Sequence, residues 1–243
     1  MGSMKKLSDG EQMKILVYFF IFINSLSVLI AGAPPLNKDP IPQPPHLLSK
    51  TNHLIIGVEW NKESLKDLLP ASLKQKPKLT GGITIFNSRK KQDFYPLSGA
   101  YGWIDAGNRT KIVVFSIFGP NKTLNNVMKM VYNFKSKPGS NKVTFMNKKS
   151  VATASINKKN VIILSATDTE DCVKAEGMEM LKPLKPSEGV IFQEVKWSTN
   201  EKCAMIPKEV ILKGELERFK VSKLLWANIY KNADLNLNLK KSN

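Results

Sequence analysis

Apolar side chains along the chain gather into short runs separated by polar turns, and the runs set the elements. HLIIGVEW (53–60) reads as a strand, after which Asn61 is placed to cap a short helix, KESLKDLL (62–69), that Pro70 ends. GGITIFN (81–87), AYGWIDA (100–106) and KIVVFSIF (111–118) follow as strands between polar loops. KTLNNVMKMVYNF (122–134) changes the period: Leu124, Val127, Met128, Val131 and Tyr132 fall at i, i+3, i+4, i+7 and i+8, which predicts an amphipathic helix packing one face on a sheet. Then KVTFM (142–146), SVATASI (150–156) and VIILSA (161–166), joined by Asn-Lys turns, predict an antiparallel meander. GVIFQEVKW (189–197) and EVILKGELERFKV (209–221) continue it, and SKLLWANIY (222–230) fits a strand or a helix. No internal repeat is found. The fold class expected is one α+β domain, mostly antiparallel β.

The N-terminal pattern is different in kind. ILVYFFIFINSLSVLIA (15–31) is preceded by Lys5, Lys6 and Lys14 and followed by Gly32 and Ala33, the basic, apolar and small-residue order of an export signal. As a helix it would span about 25 Å, short of a ~30 Å hydrocarbon core, and Asn24, Ser25 and Ser27 interrupt it. Residues 1–33 therefore read as a signal peptide of a secreted or periplasmic protein, with an uncleaved N-terminal membrane anchor as the alternative. Pro34 would hinder a cut after Ala33, which leaves cleavage after Ser27, after Ala31, or none, open. Residues 34–45, PPLNKDPIPQPP, hold six prolines and form a stiff extended linker, so the folded domain is expected over 46–243.

Composition narrows the chemistry. The 243 residues are 42% hydrophobic, enough for a core, and Lys+Arg minus Asp+Glu is 37 − 20 = +17. Arg89, Arg109 and Arg218 are the only three guanidiniums, so the fork that reads base edges is scarce and no specific nucleic acid is expected. The lysines read first as a solvated basic face, with an anionic surface as a partner class. Two histidines, His46 and His53, and two cysteines 31 positions apart assemble no metal-ligand spacing, and no metal or organic cofactor is implied. Export would let Cys172 and Cys203 pair, although two buried thiols fit as well. No Gly-rich phosphate loop is present, and YPLSGAYG around Ser98 lacks the first glycine of a nucleophile elbow. Amines remain as candidate chemical groups.

The strand, helix and proline exit of LIIGVEWNKESLKDLLPASL (54–73), the strand SGAYGWIDA (98–106) and the segment FKSKPGSNKVTF (134–145) together resemble the acetoacetate decarboxylase-like superfamily over about residues 50–240, as a divergent member. The resemblance implies a closed, mostly antiparallel barrel with a few helices and an apolar pocket for a small oxo acid. It also implies a lysine that forms an imine with the substrate ketone, the family being a standard example of an amine activated by desolvation and a neighbouring cation. Carried over by position, the imine-forming lysine falls on Ser136 and its activating neighbour on Lys137. A substrate-facing arginine falls near Thr51, and an acidic residue falls on Trp103, with Asp105 two positions on and Tyr101 on the same strand.

Serine cannot form the imine. Either Lys137 or Lys135 has taken over, two positions apart and on one face of an extended segment, or the reaction has been lost. The expected function is thus an exported protein that binds or transforms a small carboxylated molecule, with Lys137 and Lys135 as catalytic candidates and Tyr101, Trp103, Asp105, Ser136 and Thr51 as ligand contacts. The alternative is a non-catalytic protein whose lysine-rich surface meets anionic lipid, polysaccharide or nucleic acid. Monomer and homo-oligomer are both open.

Overall fold

The structure is a computed structural model that describes residues 44–88, 97–120, 125–184 and 191–241. The expected signal segment, all but the last two linker residues and Leu124 of the expected helix lie outside these. Ten strands form one sheet: β1 (His46–Trp60), β2 (Leu79–Ser88), β3 (Leu97–Gly107), β4 (Thr110–Pro120), β5 (Ser136–Pro138), β6 (Ser140–Met146), β7 (Lys149–Ile156), β8 (Lys159–Pro183), β9 (Ile191–Leu212) and β10 (Val221–Lys241). Their order is β5-β4-β3-β2-β1-β10-β9-β8-β7-β6. Every neighbouring pair in the β4-β3-β2-β1-β10-β9-β8 run is antiparallel. A parallel pairing of Thr110–Val113 on β4 with Met180–Pro183 on β8 then brings the sheet nearly into a ring.

Residue alternation explains why β1 is apolar from Leu54 to Val58. Leu54, Ile56, Val58 and Trp60 face one cluster and Leu48 and Ile55 the other, so the strand is buried on both sides. The outer cluster is covered by two single-turn helices, α1 (Lys62–Leu65) and α2 (Ala71–Lys74), through Leu65 and Leu73, by Leu69 between them, and by β6 and β7 through Val143, Ala152 and Ala154. Asn61 caps α1, its side chain accepting from Ser64 N at 3.0 Å, but the regular helix ends at Leu65 rather than running to Leu69. The inner cluster holds Phe86, Tyr101, Trp103, Phe118 and Val195.

The expected helix over 122–134 forms only in part, as a π-helical turn, Val127–Val131. Its face is the expected one: Val127, Met128 and Tyr132 are buried in the inner cluster, and Met130 points out. Residues 209–221 are not one strand, because Gly214 at φ 61 starts a 3-10 turn, Gly214–Arg218, between β9 and β10. Conversely β8 runs on to Pro183 and β10 to Lys241, through polar sequence, and SKLLWANIY is strand. Where β3 and β4 meet, Asn108 and Arg109 both take positive φ in a two-residue hairpin turn. Gly81 lets the sheet close tightly: a Cβ there would lie 2.0 Å from the Trp103 carbonyl, the same oxygen that accepts the Trp60 indole N–H at 2.9 Å. Among the described residues no helix is long and apolar enough to cross a membrane.

Cys172 on β8 and Cys203 on β9 stand opposite each other and are bonded. The bridge sits where the β8–β9 register shifts on both sides of Cys172.

Candidate active site

β1–β4 and β8–β10 each send side chains into one interior cavity of about 60 Å³. One water needs roughly 10–15 Å³ by this measure, so the space suits roughly four to six heavy atoms. Its walls are Ile55, Phe86, Phe118, Met128, Leu181 and Val195. Against these stand the polar groups of His53, Tyr101, Glu179, Gln193 and Tyr230. Leu48, Glu179, Trp197 and Leu235 belong both to this cavity and to an open groove that adds Trp103, Asp105 and Lys111, so the groove leads to the cavity mouth.

Lys111 and Glu179 form an ion pair at that mouth with side chains only 18% and 16% exposed. Lys111 also lies over the Trp103 ring, its Nζ 4.2 Å from the ring centre. Glu179 in turn acts on the tyrosines. Burial, and then its negative charge, hold the Tyr101 phenol well above its usual pKa. The same two causes push Tyr230 up to about 12, and both phenols stay protonated donors. Trp197 stacks on Tyr230 with ring centres 4.7 Å apart.

His53 is fixed by its second partner. Thr51 donates its hydroxyl to the Ala233 carbonyl at 2.7 Å, so at 2.8 Å from His53 Nε2 it can only accept, and the proton must be on Nε2. Burial, and next the charge of Lys111, lower the His53 pKa to about 3. The ring is therefore neutral and stacked on Phe86 at 5.3 Å. Gln193 Oε1, also buried, has no hydrogen-bond partner among the described residues.

The residues expected from sequence divide three ways. Tyr101 lines the cavity, Trp103 and Asp105 line the groove, and Thr51, fully buried, positions His53 rather than touching the cavity. Asp105 also holds its own turn, accepting from Gly107 N at 2.8 Å. Ser136 is buried, but its hydroxyl donates to Asn125 Oδ1 at 3.0 Å and it does not line the cavity. Lys135 and Lys137 do share one face, and it is the outward one. The alternation that turns Ser136 inward turns both amines to solvent, where Lys137 is half exposed and pairs with Glu215. The desolvated lysine pair is not formed. Lys111, Glu179, Gln193, Trp197 and Tyr230 were missed; Lys111 and Glu179 are 68 positions apart and meet through the β4–β8 pairing, which has no local sequence signal.

No family model matches the sequence, and no curated protein matches it. Solved structures do. An acetoacetate decarboxylase superposes with a TM-score of 0.61 at 12% identity, covering 87% of this chain and 94% of that one. The acetoacetate decarboxylase of Legionella pneumophila gives 0.62 at 10% identity, with 87% and 93% covered. The chain has the acetoacetate decarboxylase-like fold. An acetoacetate decarboxylase-like enzyme from Sphingomonas wittichii shares the fold at 0.57 and 14% identity, over 87% of this chain and 98% of its own. The enduracididine biosynthesis enzyme MppR, solved in complex with pyruvate, shares it at 0.59 and 9% identity, with 85% and 94% covered. In the acetoacetate decarboxylase-like fold of this chain, the cavity lies in the ring interior and the lysine loop lies outside it.

Proposed function

We propose that the protein binds a small oxo acid, or a related carboxylated ligand, at the ring cavity, and that the amine serving that ligand is Lys111 rather than Lys137. The observation that carries this is the mostly buried Lys111–Glu179 pair, in which Glu179 lines both groove and cavity and holds Lys111 on the groove side of the mouth, set against Lys135 and Lys137 in solvent. A neighbour of the same fold holding pyruvate supports the ligand class, and the cavity's room for a three-carbon acid agrees with it.

Lysine imine chemistry follows from the same pair. The Lys111 ammonium passes a proton to Glu179 and its nitrogen attacks the keto carbon. Two of the three ammonium protons leave with the ketone oxygen as water, Glu179 carrying them, and the cationic imine left on Lys111 draws electrons from the adjacent carbon. The phenols of Tyr101 and Tyr230, close to Glu179, donate to ligand oxygens. The basic, apolar and small-residue order of residues 1–33, together with the Cys172–Cys203 bond, supports export to an oxidising compartment.

Titrating pyruvate and acetoacetate into the protein by calorimetry tests this. Lys111→Met is expected to weaken binding at least tenfold, about 1.4 kcal/mol, while Lys137→Met leaves it within twofold. The reverse ranking, or loss of affinity in neither variant, would sink the reading.

A further inference from the structure

Lys135 and Lys137 are exposed, but they do not stand on an open face. They edge a second groove, of about 780 Å³, on the outer side of the sheet, well within the range of roughly 300–1,000 Å³ usual for small-molecule sites. Lys159 reaches it from the β7–β8 turn, and Lys213 and Arg218 from the two ends of the 3-10 turn. With Glu215 as the one carboxylate, the lining carries five cations and one anion, a formal charge of 5 − 1 = +4. All five cations are exposed, so the rim is wet.

Below the rim the groove is apolar. Phe115 and Phe219, rings 5.0 Å apart, close its floor, and half-buried Val114, Val161 and Leu216 add aliphatic surface. Arg218 lies over the Phe219 ring at 4.7 Å, and Lys137 is held at the edge by Glu215, whose carboxyl that amine lowers below its usual range. Like charges on long side chains separate when nothing gathers them, since each pays electrostatic repulsion at short range. Here five converge from three separate chain segments on one apolar trough.

We propose that this groove binds one anionic amphiphile, a long-chain carboxylate whose tail lies on the Phe115–Phe219 floor and whose head meets Lys137, Lys213 and Arg218. The site is separate from the ring cavity and does not depend on the ligand proposed there. A membrane surface fits less well, because a bilayer needs apolar side chains that protrude. The large exposed apolar residues among those described, Leu47, Met130, Met146, Val173, Ile206, Leu225 and Trp226, are all absent from the groove's lining.

Calorimetric titration of laurate below its micelle concentration tests the proposal, with methyl laurate, inorganic phosphate and phosphatidylglycerol vesicles as comparators. One laurate per chain is expected, with methyl laurate and phosphate each at least tenfold weaker, because the site needs tail and charge together. The double variant Lys137→Glu/Lys213→Glu is expected to weaken laurate at least tenfold. Glu215→Gln, which frees Lys137, is expected to tighten it several-fold, a gain that misfolding cannot imitate. Absence of laurate binding, binding indifferent to all three substitutions, binding lost only in Lys111→Met, or binding to vesicles without binding to laurate would each overturn the proposal. Because pyruvate binding is read through Lys111, failure here and failure of the oxo-acid site are separately visible.

Discussion

Lowering the pH from 7 to 4 is expected to destabilise the native protein by about 3 kcal/mol more than it destabilises a His53→Gln variant. The sign follows from the direction of the shift. His53 titrates near 6.5 when unfolded and near 3 when folded, first because it is buried and second because Lys111 is close. Between those values the unfolded chain binds a proton that the native chain refuses, so stability is full above about pH 6.5 and falls as pH drops toward 3. The carboxylates, Glu215 among them, contribute to acid unfolding in both proteins and cancel in the difference. Urea unfolding at a series of pH values measures it. Parallel curves for the two proteins would mean that His53 is solvated rather than buried as described.

Removing the Cys172–Cys203 bond is expected to cost about 3–4 kcal/mol, the chain-entropy value for a loop of this size, read as a lower urea midpoint under reducing conditions or in Cys172→Ala/Cys203→Ala. The bond pins β8 to β9 where their register is broken, with Cys203 buried. Glu179 lies further along β8, on the stretch that closes the ring against β4, so ligand affinity is expected to fall with stability. Equal midpoints with and without reductant would contradict this.

Much of the framework was legible in local pattern. Asn61 before KESL marked the helix start, the Asn-Lys turns marked the hairpins, and the spacing of Val127, Met128 and Tyr132 marked a buried face. The two-residue offset of Lys135 and Lys137 told correctly that they share a face. It could not tell which face, because that is decided by where Ser136 meets the interior, a tertiary fact. The polar half of β8, TDTEDCVKAEGMEMLKP (167–183), has no apolar alternation to announce it, yet it carries Glu179 into the ring. Lys111 looked like one basic residue among many until the β4–β8 pairing set it beside that carboxylate. Ring closure is non-local, and a site built across it leaves no motif in the chain.

The most direct test of the Lys111 site is chemical. Borohydride added to the protein with pyruvate or acetoacetate delivers hydride to any imine and fixes the ligand on its nitrogen, and peptide mass spectrometry then locates it. A ligand-sized increment on the peptide containing Lys111, lost in Lys111→Met and retained in Lys137→Met, is the result expected. An increment on Lys135 or Lys137 instead, or none on Lys111 while the ligand is bound, would contradict the assignment of Lys111, at the cavity mouth, as the amine that serves the ligand.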